Sequence, residues 1–203
     1  MRVALFSLML TVALMTAMFA QAAAEEEQKV APLGLQWGMS SGQVRELGVD
    51  LKDFPGKDYG TSYTASKLPK VIADTETVVL SFGFDDRLWR IAMRSKAFTN
   101  DPYGSAVRNR YDELSNELAE KYGHGEQNHH TGEGFYAKSD NFVYALSTGN
   151  AWYYTNYTTK LLQIQLGIGA QNTSTAFYQI LFESKTLRSD FEKSKKTHEK
   201  DSL

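Results

Sequence analysis

The sequence predicts an α+β fold: an antiparallel β-sheet backed on one face by one long and one short helix. Three observations point there. Tyr103, Val107, Tyr111, Leu114, Leu118 and Tyr122 recur at spacings of four and three, one apolar stripe along a single helix. Thr77 to Ser95 alternates about the turn Phe84-Asp85-Asp86-Arg87, so that Phe82 faces Trp89, Leu80 faces Ile91 and Val78 faces Met93 on one side of a hairpin. Leu162, Ile164, Leu166 and Ile168 alternate with Gln163 and Gln165, and the segment Ala176–Glu183 alternates in the same way. Strands of this kind joined by short loops pair antiparallel, with one face dry and one wet.

The first residues read as a targeting segment. Met1-Arg2 supply a positive start, Val3 to Phe19 carry no charge, and Ala20-Gln21-Ala22 and Ala22-Ala23-Ala24 both fit a small-residue cleavage site. Residues 1–24 are therefore expected to be a secretory signal peptide, with an uncleaved anchor as the alternative. An acidic leader, 25–32, precedes a single domain over 33–187, and a charged tail is expected over 188–203. The chain has no cysteine, so disulfides, thiolate sites and lipid attachment at an N-terminal cysteine are all excluded. It carries 22 basic and 24 acidic residues, a net charge of −2. That balance speaks against a general nucleic-acid or anionic-membrane binder. The expected location is the periplasm or the outside of the cell.

Taken in order, the chain first shows a helix start. Ser40 stands at the N-cap with Gln43 three residues on, the capping-box spacing, and Met39 and Val44 are spaced as a hydrophobic staple. A short helix from Ser41 to Leu47 should end at Gly48. Asp53 to Asp58 is turn chemistry, Tyr59 to Leu68 an edge strand, and Pro69 its stop. After the hairpin, Asp101 and Pro102 open the long helix, and Gly123 closes it. His124 to Gly134 reads as a loop. Phe142–Leu146 and Trp152–Tyr157 read as two strands. Pairing the last two strands in register sets Ile164 beside Ile180, Leu166 beside Tyr178 and Leu162 beside Phe182. Leu187 and Phe191 could dock one helical turn, with the rest of the tail frayed. The order of helix then strands, given twice, suggests two diverged halves, roughly 33–98 and 101–184.

Few constellations carry chemistry. Gly38-Met39-Ser40-Ser41-Gly42 fits the G-x-S-x-G nucleophile pattern, but that motif belongs on a parallel sheet, and a helix cap accounts for the same residues. His124, His129 and His130 lie near Glu126 and Glu133, ligand types for zinc in a spacing that is not a helical pair. Gly167-Ile168-Gly169 lacks the third glycine of a dinucleotide motif. No cofactor is implied. The outer face of the sheet remains: Arg90, Arg94, Gln163, Gln165 and Gln179 share it, and Tyr153 and Tyr157, on alternate positions of a neighbouring strand, extend it. Arginine beside aromatics is the composition of binding hot spots, and the plain alternative is the wet side of a one-layer sheet.

Leu35-Gln36-Trp37-Gly38-Met39-Ser40 resembles the "WGMS" start of small secreted bacterial proteins of unassigned function. With the hairpin tip Phe84-Asp85-Asp86-Arg87-Leu88 and the helix end Glu120-Lys121-Tyr122-Gly123, it is similar to the helix-plus-hairpin unit of the SmpA/OmlA and β-lactamase-inhibitory-protein-like superfamily. The resemblance implies a non-enzymatic envelope fold whose sheet meets protein partners. SmpA/OmlA proteins are lipoproteins, and the missing cysteine departs from that pattern. No family catalytic residue carries over. The expected function is a periplasmic binding or inhibitor-like module acting on another envelope protein. The alternatives are a hydrolase using Ser40 or a metal held by the histidine loop, and a structural envelope protein without a discrete ligand.

Overall fold

Ser40 sets the first element. In the computed structural model, which describes residues 29–56 and 58–201, its Oγ accepts the Gln43 N–H at 3.1 Å and Gln43 Oε1 accepts the Ser40 N–H at 2.9 Å. This reciprocal box opens helix α1, Ser41–Glu46. Gly48, at φ 84°, ends it. Two short strands follow, β1 (Asp50–Asp53) and β2 (Ser62–Ser66), paired antiparallel across the turn residues between them. The edge strand expected from Tyr59 is thus shorter, and β1 lies outside it.

Strands β3 (Thr75–Ser81) and β4 (Arg90–Ser95) form the expected hairpin, with Val78 opposite Met93 and Leu80 opposite Ile91. The ladder closes at Ser81 and Arg90, one step short of the expected Phe82–Trp89 pair. Trp89 is buried all the same, with its ring stacked on Phe191 at 4.7 Å and its Nε1–H donated to the Tyr59 carbonyl at 3.3 Å.

The apolar stripe from Val107 onward becomes helix α2, Ser105–Tyr122, with Val107, Tyr111, Leu114 and Leu118 buried, while Tyr103, expected to begin the stripe, lies before the helix and is exposed. Asp101 caps it by accepting the Ala106 N–H at 2.8 Å, while Pro102 stays outside the first turn. Gly104 is required between them. Its φ is 64°, and an added Cβ would lie 2.5 Å from the Phe142 ring. Gly123, at φ 88°, ends the helix.

Two assignments change in the next stretch. Residues Glu126–His130, expected in a loop, form strand β5, and Phe142–Leu146, expected as a strand, lie in helix α3, Phe142–Ser147. A five-residue apolar run has no decisive period. Here burial of Phe142, Val143 and Ala145 on one side of a helical turn decides it. Strands β6 (Trp152–Thr158), β7 (Leu162–Asn172) and β8 (Thr175–Ser184) complete the sheet. The faces of β7 and β8 are as expected, but the register is shifted by two residues: Ile164 faces Phe182, Leu166 faces Ile180 and Ile168 faces Tyr178. A shift of two preserves every side chain's face, so alternation alone cannot detect it. The tight turn between Asn172 and Thr175 fixes the register instead.

The chain then continues as helix α4, Lys185–Asp201, where a frayed tail was expected. Phe191 is 4 % exposed under Trp89 and Phe84, which anchors the helix by more than one turn. At the other end, the expected signal segment 1–24 lies outside the described residues. Of the expected leader, Ala31 is buried in the core and its N–H bonds the Leu35 carbonyl at 3.0 Å.

All eight strands form one antiparallel sheet in the order β1-β2-β3-β4-β8-β7-β6-β5. Each half is a helix followed by a four-stranded meander, and the last strands of the two halves, β4 and β8, join them. Side chains from α1, α2 and the inner faces of both meanders make one hydrophobic core. Among the described residues the other face of the central strands carries no helix-packed core, and it is here that the candidate site lies.

Candidate docking face

Strand alternation puts Arg90, Ala92 and Arg94 of β4 on the outer face, with Gln179, Leu181 and Glu183 of β8 opposite them, since directly paired residues point the same way. Gln163 and Gln165 of β7 pair with Glu183 and Leu181 and join the same face. Five of the expected site residues, Arg90, Arg94, Gln163, Gln165 and Gln179, therefore do share one surface. Tyr153 and Tyr157 do not. Tyr157 pairs with Ile164 and Tyr153 with Ile168, both core residues, so the two tyrosines point towards α2.

The inner placement of those tyrosines is held by polar contacts. The Tyr157 hydroxyl meets Ser115 Oγ at 2.7 Å and donates to the Ser115 carbonyl at 3.0 Å. Tyr153 packs edge-on to Tyr111 and Phe142. Burial pushes the phenol pKa of both above the usual value. The outward positions of β6 belong instead to Tyr154 and Asn156, and Asn156 accepts from Gln165 Nε2 at 3.0 Å. Both faces of this strand carry tyrosine, so alternation gave no choice between them. The pairing of Tyr157 with Ile164 is the signal that would have decided it.

On the outer face, Arg90 and Glu183 pair at 3.2 Å, with side chains only 14 % and 8 % exposed. Arg188 at the start of α4 adds a second bond to Glu183 at 2.6 Å. One carboxylate thus serves two guanidinium groups. Arg90 also lies over the Tyr59 ring at 3.9 Å. Arg94 lies over the Phe177 ring at the same distance, 3.9 Å. That ring is laid across Gly169, where an added Cβ would meet it at 2.5 Å. Glycine is needed there because the ring occupies the space of a side chain. Arg94 makes no ion pair among the described residues, and its Nε and Nη2 are buried without a hydrogen-bond partner.

Three hollows run together across this face. One of about 280 Å³ is lined by Phe54, Val79, Ala92, Arg94, Gln179 and Leu181, among others. A second of about 300 Å³ shares Phe54, Val79, Arg90 and Ala92 with it and extends towards Tyr59. A third of about 340 Å³ shares Gln165 and Leu181 and extends to Asn156, Gln163 and Arg188. Neighbouring hollows share lining residues, so they adjoin in a row, a shallow trough that crosses β3, β4, β8, β7 and β6. Phe54, Tyr59 and Glu183 line it, Tyr154 and Phe177 stand on the same outer face, and none of the five was singled out from the sequence. Phe177 was legible: it stands two residues before Gln179 on the same strand.

The other candidates separate. Ser40 is engaged in the helix cap, where its hydroxyl accepts the Gln43 N–H. His129 and His130 are adjacent on β5, so their side chains leave opposite faces and do not share a ligand. His129 stacks on Tyr153 at 3.6 Å and contacts the Tyr111 hydroxyl at 3.2 Å, while His130 stacks on Trp152 at 4.3 Å. Burial lowers the His129 pKa, with Asp112 pulling weakly the other way. Among the described residues no three His, Asp or Glu side chains gather as metal ligands. No protein-family model matches this chain, and comparison with curated proteins and with solved structures finds no match. The fold and face define an α+β protein with one core-facing and one open sheet surface.

Proposed function

We propose that this protein is a non-enzymatic, exported binding module that docks another protein of the cell envelope on the outer face of its sheet. The observation that carries the reading is the trough. Both sequence-predicted helices pack on the opposite face, which leaves a row of adjoining hollows lined by Phe54 and Tyr59 together with arginine and glutamine. These are the residue types that dominate protein interfaces, set in a surface already ordered by strand pairing. The charged, apolar-cored leader at the chain start supports export, and the resemblance of the Trp37-to-Ser40 stretch to SmpA/OmlA and β-lactamase-inhibitory-protein-like proteins supports a sheet that meets a protein.

Affinity capture from an envelope extract tests the face. The wild type is compared with a variant combining Arg94→Ala, Gln165→Ala and Gln179→Ala, positions whose loss breaks no ion pair. Loss of specific partners from the variant, with its circular dichroism unchanged, is the expected result. Equal recovery of the same partners by both proteins would remove this face from consideration.

A further inference from the structure

We propose that the trough receives an extended acidic segment of its protein partner, with one carboxylate seated on Arg94. The inference rests on the docking reading above and names the chemistry that the face selects.

Charge is the first ground. Arg90, Arg94 and Arg188 line the joined hollows, against the carboxylates of Glu183 and Asp58. Glu183 is already shared by Arg90 and Arg188, so neither competes for a further anion as Arg94 does. Arg94 stands four residues along β4 from Arg90, opposite Gln179, with no carboxylate partner among the described residues. Its Nε and Nη2 form one edge of the guanidinium, the edge that takes the two oxygens of a carboxylate side by side. In the free protein that edge is buried without an acceptor, a costly state that a carboxylate seated against it would relieve.

Shape is the second ground. The hollow beside Arg94 is smaller than an ordinary small-molecule pocket, but it shares walls with a second hollow on the Tyr59 side and a third on the Asn156 side. A ligand that fills the trough must be long and narrow. An extended polypeptide is such a ligand, and its alternate side chains would meet the apolar patches of Val79, Ala92 and Leu181 beside the cation. The glutamine amides of Gln165 and Gln179 add donors and acceptors for its backbone.

Nuclear magnetic resonance on the full chain tests this. The probe is an acetylated, amidated nine-residue peptide of serine and glycine, with a central glutamate and a leucine two residues beyond it. Expected are shifts of the Arg94 Nε–H and of backbone amides at 92–94, 165–167 and 177–181. The same peptide with glutamine in place of glutamate should bind at least ten-fold more weakly, as should free acetate and inorganic phosphate. Arg94→Gln should abolish the difference between the two peptides, and Arg94→Lys, which keeps the charge but not the two-pronged edge, should shrink it several-fold. Equal binding of the glutamate and glutamine peptides overturns the carboxylate assignment and leaves the docking face standing. Acetate or phosphate binding as tightly as the peptide overturns the polypeptide assignment. Absence of any shift on the sheet overturns the proposal, whereas equal capture by the triple-alanine variant overturns the docking reading itself.

Discussion

At the scale of single residues, the polar groups buried between α2 and β6 are the most exacting feature. Tyr111 Oη sits 2.5 Å from Thr155 Oγ1 and 3.2 Å from His129 Nε2, with the phenol edge-on to both His129 and Tyr153. Burial holds the His129 pKa below its ordinary value of 6.5, so the unfolded chain binds the proton more readily than the folded one. The stability that this neutral imidazole contributes is present above that value and lost as the pH falls through it. A urea-unfolding midpoint measured at pH 7.5 and pH 5.5 should therefore drop in the wild type, and His129→Gln should flatten the drop. Parallel falls in both proteins would assign the acid sensitivity elsewhere. Of this cluster only the burial of Tyr111, a member of the helix stripe, was legible beforehand. His129 reads as a loop residue because the segment Glu126–His130 is entirely polar and becomes a strand only by pairing with β6. Arg94 and Gln179, in contrast, were placed correctly, because a strand with one strongly apolar side leaves its other side no freedom.

Among the elements, α4 departs furthest from expectation. Its sequence is charged and carries little apolar surface, and helices of that kind are marginal in isolation. Tertiary contact supplies the difference. Phe191 stacks on Trp89 at 4.7 Å and on Phe84 at 5.5 Å, and Arg188 and Asp190 tie the helix to Glu183 and Arg87. Among the described side chains of the helix only Phe191 is deeply buried, so the energy is concentrated there. Phe191→Ala should cost about 3–5 kcal/mol of global stability or release the helix outright. Urea unfolding reads the first outcome and loss of far-ultraviolet helical signal the second; a variant that keeps both would show that the helix needs no anchor. The helix α2 was legible because its stripe spans many turns and four of its six members are buried where the period put them. α3 was not, since Phe142–Leu146 is too short for periodicity to separate helix from strand. Gly104, made small to admit Phe142, is the tertiary fact that the local sequence does not display.

For the whole molecule, two helix-plus-meander halves share a core and a seam. β4 and β8 pair from Arg90–Glu183 to Arg94–Gln179, and the core runs through Ile91, Met93, Ile180 and Phe182 on both sides of that seam. Halves joined in this way should unfold together. Tryptophan fluorescence and far-ultraviolet circular dichroism should give coincident urea transitions, and a second transition by either probe would show that the halves melt separately. The division into halves was visible from element order alone. How they join was not, because a pairing between residues about ninety positions apart leaves no local trace. The seam also decides which ladders a neighbouring molecule can see. The strands at the two margins are Asp50–Asp53 and Glu126–His130, both short and polar, while the long apolar β7 and β8 lie inside. That layout guards the finished molecule against polymerising edge to edge. A chain whose second half has not yet met the first lacks the guard, since β4 and β8 each stand open to another copy. Edge-to-edge pairing through β4 or β8 is thus a hazard of the folding chain.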